Sequence, residues 1–338
     1  MENKVLETII KYNLIEDGDK VVVAVSGGPD SITLLDILNK IQRKGRIKFE
    51  IIIAHVNHQI REEAIDDEKF VQNYANNKNI ECYIKRIDVI NYANNNKMGL
   101  EESGRKVRYA FFEEVMQKEN ANKIAIAHNK NDKIETMFMN IFRGSGISGL
   151  KGIEPIRENK YIRPLIECER SEIEKYCEDN NLNPRIDKTN FINDCTRNKI
   201  RNIVLPYIKK EFNPNIIETM SRLSEVATET EDYIKKQTIQ EYNEILIDKQ
   251  EKSVVLNLKE FNKKELLIRK RILIYAIHQV LGNSQNIEKV NIDDLINLCE
   301  KNIGNKYLKP NKNIKILVNK GKIFLNFIYW ESVKAFAL

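Results

Sequence analysis

The chain has 338 residues, 42% of them hydrophobic and 31% charged, with a formal net charge of +6. That length allows two domains, the balance is that of a soluble globular chain, and no apolar run approaches the ~20 residues that cross a bilayer. The five cysteines (Cys82, Cys168, Cys177, Cys195 and Cys299) are scattered, odd in number and without a C-x-x-C pair, which fits a reducing cytoplasm and argues against a zinc ribbon or a cysteine-held iron–sulfur cluster.

The charge is uneven. Residues 1–200 balance 32 basic against 32 acidic side chains, and residues 201–300 carry 15 against 16, whereas residues 301–338 hold eight lysines and one glutamate. The surplus therefore lies in the tail. Concentrated lysine attracts polyanions such as nucleic acid, although the same count also suits a solvated lysine-rich surface.

In chain order, MENKVLETIIKYNLIEDGDK reads as an amphipathic helix and not as a signal peptide. Strands expected at residues 20–25, 49–56, 81–87 and 122–127 alternate with helices at 31–43, 61–77, 100–119 and 131–143. This alternation predicts an α/β fold, a doubly wound parallel sheet with helices on both faces. Residues 144–168, with Gly144, Gly146, Gly149, Gly152, Pro155 and Pro164, read as loop, and a helix follows over 169–181. After an irregular polar stretch, Pro206 and Pro214 mark a boundary. Beyond it the pattern is mainly helical: 215–243, a short strand at 253–258, helices at 263–281 and 290–302, then a hairpin of 312–317 and 322–328 around Asn319-Lys320-Gly321. The expected domains are thus 1–205, nucleotide-binding, and 206–338, mainly helical and ending in a basic hairpin.

Ligands of such sheets bind beyond the carboxyl ends of the strands, and the distinctive motifs fall there. Val21-Val22-Val23-Ala24-Val25 runs into Ser26-Gly27-Gly28-Pro29-Asp30-Ser31 and a helix. A strand, a glycine turn and a helix N-terminus make an anion site, because unpaired N–H groups converge where the helix dipole favours negative charge. Ser26 and Ser31 add hydroxyls. Asp30 would repel bare phosphate, so its expected use is through magnesium, which takes one or two carboxylates plus phosphate oxygens. The spacing is neither a Walker A loop nor G-x-G-x-x-G; it resembles the S-G-G-x-D-S PP-loop of ATP pyrophosphatases.

His55-Val-Asn-His58-Gln-Ile-Arg61 follows the second strand and reads as a polar loop contacting nucleotide or substrate rather than a metal site. Arg105 and Arg108, three apart, share a helix face suited either to phosphate or to an exposed salt-bridge face with Glu101 and Glu102. His128 ends the fourth strand. Asp132 and Glu135 open the next helix, where carboxylates serve capping and the dipole; alternatively they hold an ammonium group or a metal. Arg143 to Leu150 is a glycine-rich loop able to order over a ligand, and Arg163, Asp187 to Asn190, Arg197 and Arg201 suit phosphate and base contacts.

Taken in order, SGGPDS, HVNHQIR, ESGRKVRY, AHNKNDKIET, RGSGISGL, RPLI, DKTN and RNKIRN, over residues 20–205, resemble the tRNA(Ile)-lysidine synthetase family. The resemblance implies a ligase that uses ATP and magnesium, acts on tRNA(Ile) with a CAU anticodon and consumes free lysine. It implies that the wobble cytidine is adenylated with release of pyrophosphate, and that lysine then displaces AMP. On that resemblance Ser26, Gly27, Gly28, Pro29, Asp30, Ser31 and His55 bind the nucleotide, Asp30 meets magnesium, Arg105 and Arg108 neutralise developing charge, Asp132 and Glu135 orient the lysine ammonium, and His128 joins the catalytic set. Asn131 departs from the acidic pair often found in the family just before E-T. Longer members carry a further C-terminal domain that grips the acceptor region; this sequence, ending FLNFIYWESVKAFAL, is expected to be either the short type or a shortened form. A cytoplasmic location is expected, with no membrane partner, and the oligomeric state stays open, a homodimer included. The rival readings are a tRNA thiolase, which typically needs a cysteine the pattern lacks, an amidotransferase or NAD synthetase, and a tRNA-binding protein without catalysis.

Overall fold

The computed structural model describes residues 1–60, 64–185, 193–282, 287–301 and 306–328. Arg61, the DKTN segment at 187–190 and the last ten residues lie outside the described residues. By internal packing the chain divides into Met1–Ala227 and Thr228–Leu338.

The first unit opens with α1 (Glu2–Lys11), β1 (Lys20–Ala24), α2 (Pro29–Arg43), β2 (Glu50–Asn57), α3 (Ala64–Lys78), β3 (Glu81–Arg86), α4 (Val89–Asn96), α5 (Leu100–Lys118), β4 (Lys123–Ala125) and α6 (Lys130–Phe142). There follow α7 (Ile147–Leu150), β5 (Ile156–Arg157), β6 (Tyr161–Ile162), α8 (Arg170–Asp179), α9 (Thr196–Lys199), a π-helical turn (Ile200–Val204), α10 (Leu205–Glu211) and α11 (Ile216–Ile245), within which the division between units falls. The sheet order is β3-β2-β1-β4-β6-β5, parallel except for β5.

The β-branched run of β1 is buried on both faces, and its two-residue alternation separates two cores. Val21 and Val23 pack with α1, α2, α3 and α8, while Val22 packs with Ile52, Ala54, Phe111 and Phe112 beneath α5. Each phenylalanine so buried stabilises by about 1.5–3 kcal/mol. Helices thus cover both faces, as the alternating pattern predicts.

Several short elements escape the sequence reading. The 144–168 stretch contains α7 and the β5–β6 hairpin; β6 is a strand because Tyr161 and Ile162 pair with Ile124 and Ala125, a long-range contact with no local period to betray it. The Asn-rich α4 forms because Asp88 caps it, its side chain accepting from the Asn91 N–H at 2.9 Å.

The second unit continues with β7 (Leu246–Gln250), β8 (Ser253–Asn257), α12 (Leu258–Lys263), α13 (Leu266–Leu281), α14 (Lys289–Lys301), β9 (Lys306–Asn311), β10 (Ile314–Asn319) and β11 (Lys322–Phe327). Beside the expected helices it holds an antiparallel sheet ordered β7-β8-β11-β10-β9. The expected hairpin is there: Asn319 pairs with Lys322, and Lys320 and Gly321 both take positive φ (47° and 72°), as a two-residue turn that follows strand twist requires. Ile314, Ile316, Val318, Ile323 and Leu325 alternate into a core with α12, α13 and α14.

Candidate active site

The Ser26–Ser31 turn leaves the sheet at β1. Gly27 takes φ +92°, a conformation that side chains rarely adopt, and Gly28 caps α2 with Pro29 at the first helical position, where no N–H is needed. Ser31, expected to face phosphate, braces the turn here. Its Oγ accepts from the N–H groups of Ser26 (3.1 Å) and Gly27 (3.2 Å) and donates to the Gly28 carbonyl (3.0 Å). From the far end of the domain the Arg185 N–H donates to the Gly27 carbonyl (3.0 Å), and its guanidinium reaches Asp67 (3.3 Å). No motif pointed to Arg185.

Asp30 accepts from Asn129 Nδ2 at 2.7 Å. Burial, then the charge of Asp132, push its carboxyl up to about 6. Asn129 also caps α6, its Oδ1 accepting from the Asp132 N–H (3.0 Å), while Asp132 Oδ2 accepts from the Asn129 N–H (3.1 Å). The capping expected of Asp132 is therefore real, and it occupies one oxygen.

The other oxygen of Asp132 and both oxygens of Glu135 face arginines. Arg201 Nη2 lies 3.0 Å from Asp132 Oδ1, and Arg201 grips Glu135 with Nε (2.7 Å) and Nη2 (2.8 Å). Arg197 Nε donates to Glu135 at 2.9 Å. Arg170 Nη2 completes the cluster at 3.6 Å from Asp132 and 3.7 Å from Glu135. Arg197 and Arg201, read from sequence as phosphate and base contacts, here hold the two carboxylates. Arg170 was missed, yet its position gave a signal: it opens α8, where a cation opposes the helix dipole and needs another reason.

His128 lies half-buried at the tip beyond β4. Its Nδ1 accepts from Arg163 Nε at 3.1 Å, so the ring proton sits on Nε2. Burial, followed by the charges of Arg163, Arg197, Arg105 and Arg108, holds it neutral, far below its ordinary range. Arg105 and Arg108 thus reach the His128 neighbourhood electrostatically from the exposed face of α5, with Arg105 over the Tyr109 ring at 5.3 Å and Arg108 donating to the Gly104 carbonyl at 3.3 Å.

His55 Nδ1 donates to the Val25 carbonyl at 2.8 Å, leaving Nε2 as a buried acceptor. Burial lowers its pKa, and burial with Arg108 nearby lowers that of His58 to about 4. Among the described residues, His55 Nε2, His58 Nδ1 and Ser103 Oγ are buried without hydrogen-bond partners. His58 follows β2 and Ser103 lies in the first turn of α5, where a Cβ on Gly104 would lie 3.8 Å from the His58 ring. Buried polar atoms usually find partners, so this group fits a polar ligand. Gly149 in the glycine-rich loop has a packing role instead, since a Cβ there would meet Ser145 Cβ at 2.3 Å.

Glycine turn, helix N-terminus and strand-end carboxylates define an enzyme of the PP-loop class, and the PP-loop domain family model matches residues 1–208. The tRNA(Ile)-lysidine synthase of Clostridium acetobutylicum is 46% identical over 333 residues, covering 98% of this chain and 71% of its own. Those of Clostridioides difficile and Clostridium perfringens are 44% and 41% identical, covering 96% and 99% of this chain and 70% of each relative. The chain belongs to the tRNA(Ile)-lysidine synthase family and is a ligase that uses ATP. Among solved structures, the U34-tRNA thiolase NcsA from Methanococcus maripaludis, described with its 4Fe-4S cluster, superposes with a TM-score of 0.53 at 20% identity, covering 66% of this chain and 77% of its own, a likeness of fold. Among the described residues no helix is long and apolar enough to cross a membrane, and no group of three or more His, Cys, Asp or Glu is placed to hold a metal ion.

Proposed function

We propose that this chain joins lysine to the wobble cytidine of tRNA(Ile) bearing CAU. The carbonyl oxygen at cytosine carbon two attacks the α-phosphorus of ATP, and pyrophosphate leaves. The lysine ε-amine then attacks carbon two, the carbon–oxygen bond breaks, AMP leaves, and the amine gives up its proton. The observation that carries this reading is the double role of Asn129, which donates to Asp30 of the glycine turn and caps the helix bearing Asp132 and Glu135. The glycine turn and the helix bearing the two carboxylates thereby share one hydrogen-bond chain.

In this reading Ser26, Gly27 and Gly28 cradle the leaving pyrophosphate, with Ser31 holding their geometry. His55 Nε2, an acceptor in want of a donor, suits an exocyclic amine of the adenine. Neutral His128 offers an Nε2–H donor, and Arg105 and Arg108 meet charge as the adenylate forms. Asp132 and Glu135 receive the lysine ammonium once Arg170, Arg197 or Arg201 yields a carboxylate oxygen, and one of them takes the amine proton. Magnesium suits Asp30, whose carboxyl, pushed up by burial and then by the charge of Asp132, would be held ionised beside a cation. When bound, the ion would neutralise phosphate charge. Residues 206–338, with their lysine-rich end, are assigned to gripping the tRNA. Sedimentation velocity decides between monomer and homodimer.

The test is AMP release from ATP on an unmodified tRNA(Ile) transcript with CAU, with and without lysine. Release requiring both tRNA and lysine supports the reading. Release requiring tRNA but indifferent to lysine would overturn the nucleophile.

A further inference from the structure

Between Arg201, which grips Glu135, and the end of α10, three large apolar side chains stand in solvent. Ile203, Tyr207 and Phe212 are 53%, 60% and 74% exposed. Tyr207 and Phe212 meet edge to face, with ring centroids 5.9 Å apart at 64°. A single exposed ring needs no explanation, but a pair in this setting does. From Thr196 to Phe212 the charged side chains are Arg197, Lys199, Arg201, Lys209 and Lys210 against Glu211. Lys199, Lys209 and Lys210 are exposed, and Lys210 pairs with Glu211 at 2.9 Å. Lys209 also lines one small cleft with Glu135, Arg170 and Arg201, so α10, which carries Tyr207 and ends at Phe212, borders the carboxylate site. Excess cation with uncovered aromatic faces is the composition that binds single-stranded nucleic acid: lysines meet phosphates, and rings take bases of any sequence.

We propose that Tyr207 and Phe212 form a stacking platform for an unpaired base of the substrate RNA beside the base that reacts, with Lys209 and Lys210 on its phosphates. This rests on the tRNA reading above and extends it to a second nucleotide. An unpaired loop is the part of a tRNA able to splay a base outward, so the platform engages the loop carrying the reactive cytidine. A reactive base presented to the lysine held at the carboxylates and its neighbour fixed on the rings together define one strand direction across the site.

The experiment compares Tyr207→Ala, Phe212→Ala, Tyr207→Phe and Tyr207→Leu, using the unmodified transcript and a short anticodon stem-loop. Loss of one stacked base raises the KM for RNA about tenfold, with kcat at saturating RNA kept within about twofold. Tyr207→Phe keeps the ring and stays near the wild type, whereas Tyr207→Leu behaves like alanine. ATP binding by each variant reports folding; if an alanine variant does not fold, the Phe and Leu variants still decide. Failure of the wild type to act on the transcript sinks the tRNA reading itself. An active wild type whose alanine and leucine variants keep their KM overturns the platform alone. So does a changed sedimentation coefficient at unchanged RNA affinity, which assigns the rings to an interface between copies.

Discussion

Arg201 grips Glu135 through two parallel hydrogen bonds, Nε at 2.7 Å and Nη2 at 2.8 Å, and Glu135 is 1% exposed. The pair is a planar fork on a carboxylate, a geometry that lysine cannot reproduce. It makes the wall of the site a charge lattice rather than a set of free acids, and its removal has a calculable cost.

Arg201→Met leaves Glu135 buried with Arg197 as its remaining close partner. Breaking a buried pair from one side costs about 3–5 kcal/mol. Thermal unfolding of the variant is expected well below the wild type, with the loss partly restored by adding Glu135→Gln. An unchanged Tm would mean that Arg197 and Arg170 suffice.

Asp132→Asn keeps an oxygen for the Asn129 N–H, so the α6 cap survives while the charge goes. A charge-assisted hydrogen bond contributes about 1.5–3 kcal/mol, so the KM for lysine is expected to rise roughly 10- to 100-fold. The KM for ATP should move far less. Steady-state kinetics with lysine varied at fixed tRNA checks this; unchanged lysine dependence removes Asp132 from the amine site.

Asp30 carries a pH signature. Its folded pKa, about 6, lies above its ordinary 3.8. Between those values the folded state binds more protons than the unfolded, so stability falls as pH rises from about 4 to 6 and the penalty is complete above. Asp30→Asn removes that penalty, and its Tm at pH 7 is expected to rise above the wild type, by about 2–4 °C per kcal/mol relieved. The same variant should lose magnesium-dependent ATP binding. Calorimetry across pH 4–8, with and without ATP and magnesium, separates the two effects.

Ser31→Ala deletes the acceptor of two backbone N–H groups and the donor to a carbonyl. Unsatisfied buried groups cost about 1–3 kcal/mol. A lower Tm and a higher KM for ATP are expected together, because the proposed phosphate cradle is the turn that Ser31 braces. A raised KM at unchanged Tm would instead make the hydroxyl a direct ligand of phosphate.

Much was legible in the sequence because its causes are local. The β-branched run before Ser26, the glycines where φ turns positive, and the Asn319-Lys320-Gly321 hairpin are each dictated by neighbouring residues. Parallel strands alternating with helices bring all strand ends to one edge, so Ser26, His55 and His128 could be assigned to one region from order alone.

Tertiary structure decided what depends on residues far apart in the chain. Arg197 and Arg201 reach Glu135 across 62 and 66 positions, and no periodicity distinguishes an arginine that meets phosphate from one that clamps a carboxylate. Tyr161 and Ile162 are a strand only because Ile124 and Ala125 lie beside them. Asn129 links Asp30 to Asp132 because two helix N-termini converge at the sheet edge. Local propensity fixes backbone conformation within a few residues, whereas the partner of a side chain is settled only when the whole sheet closes.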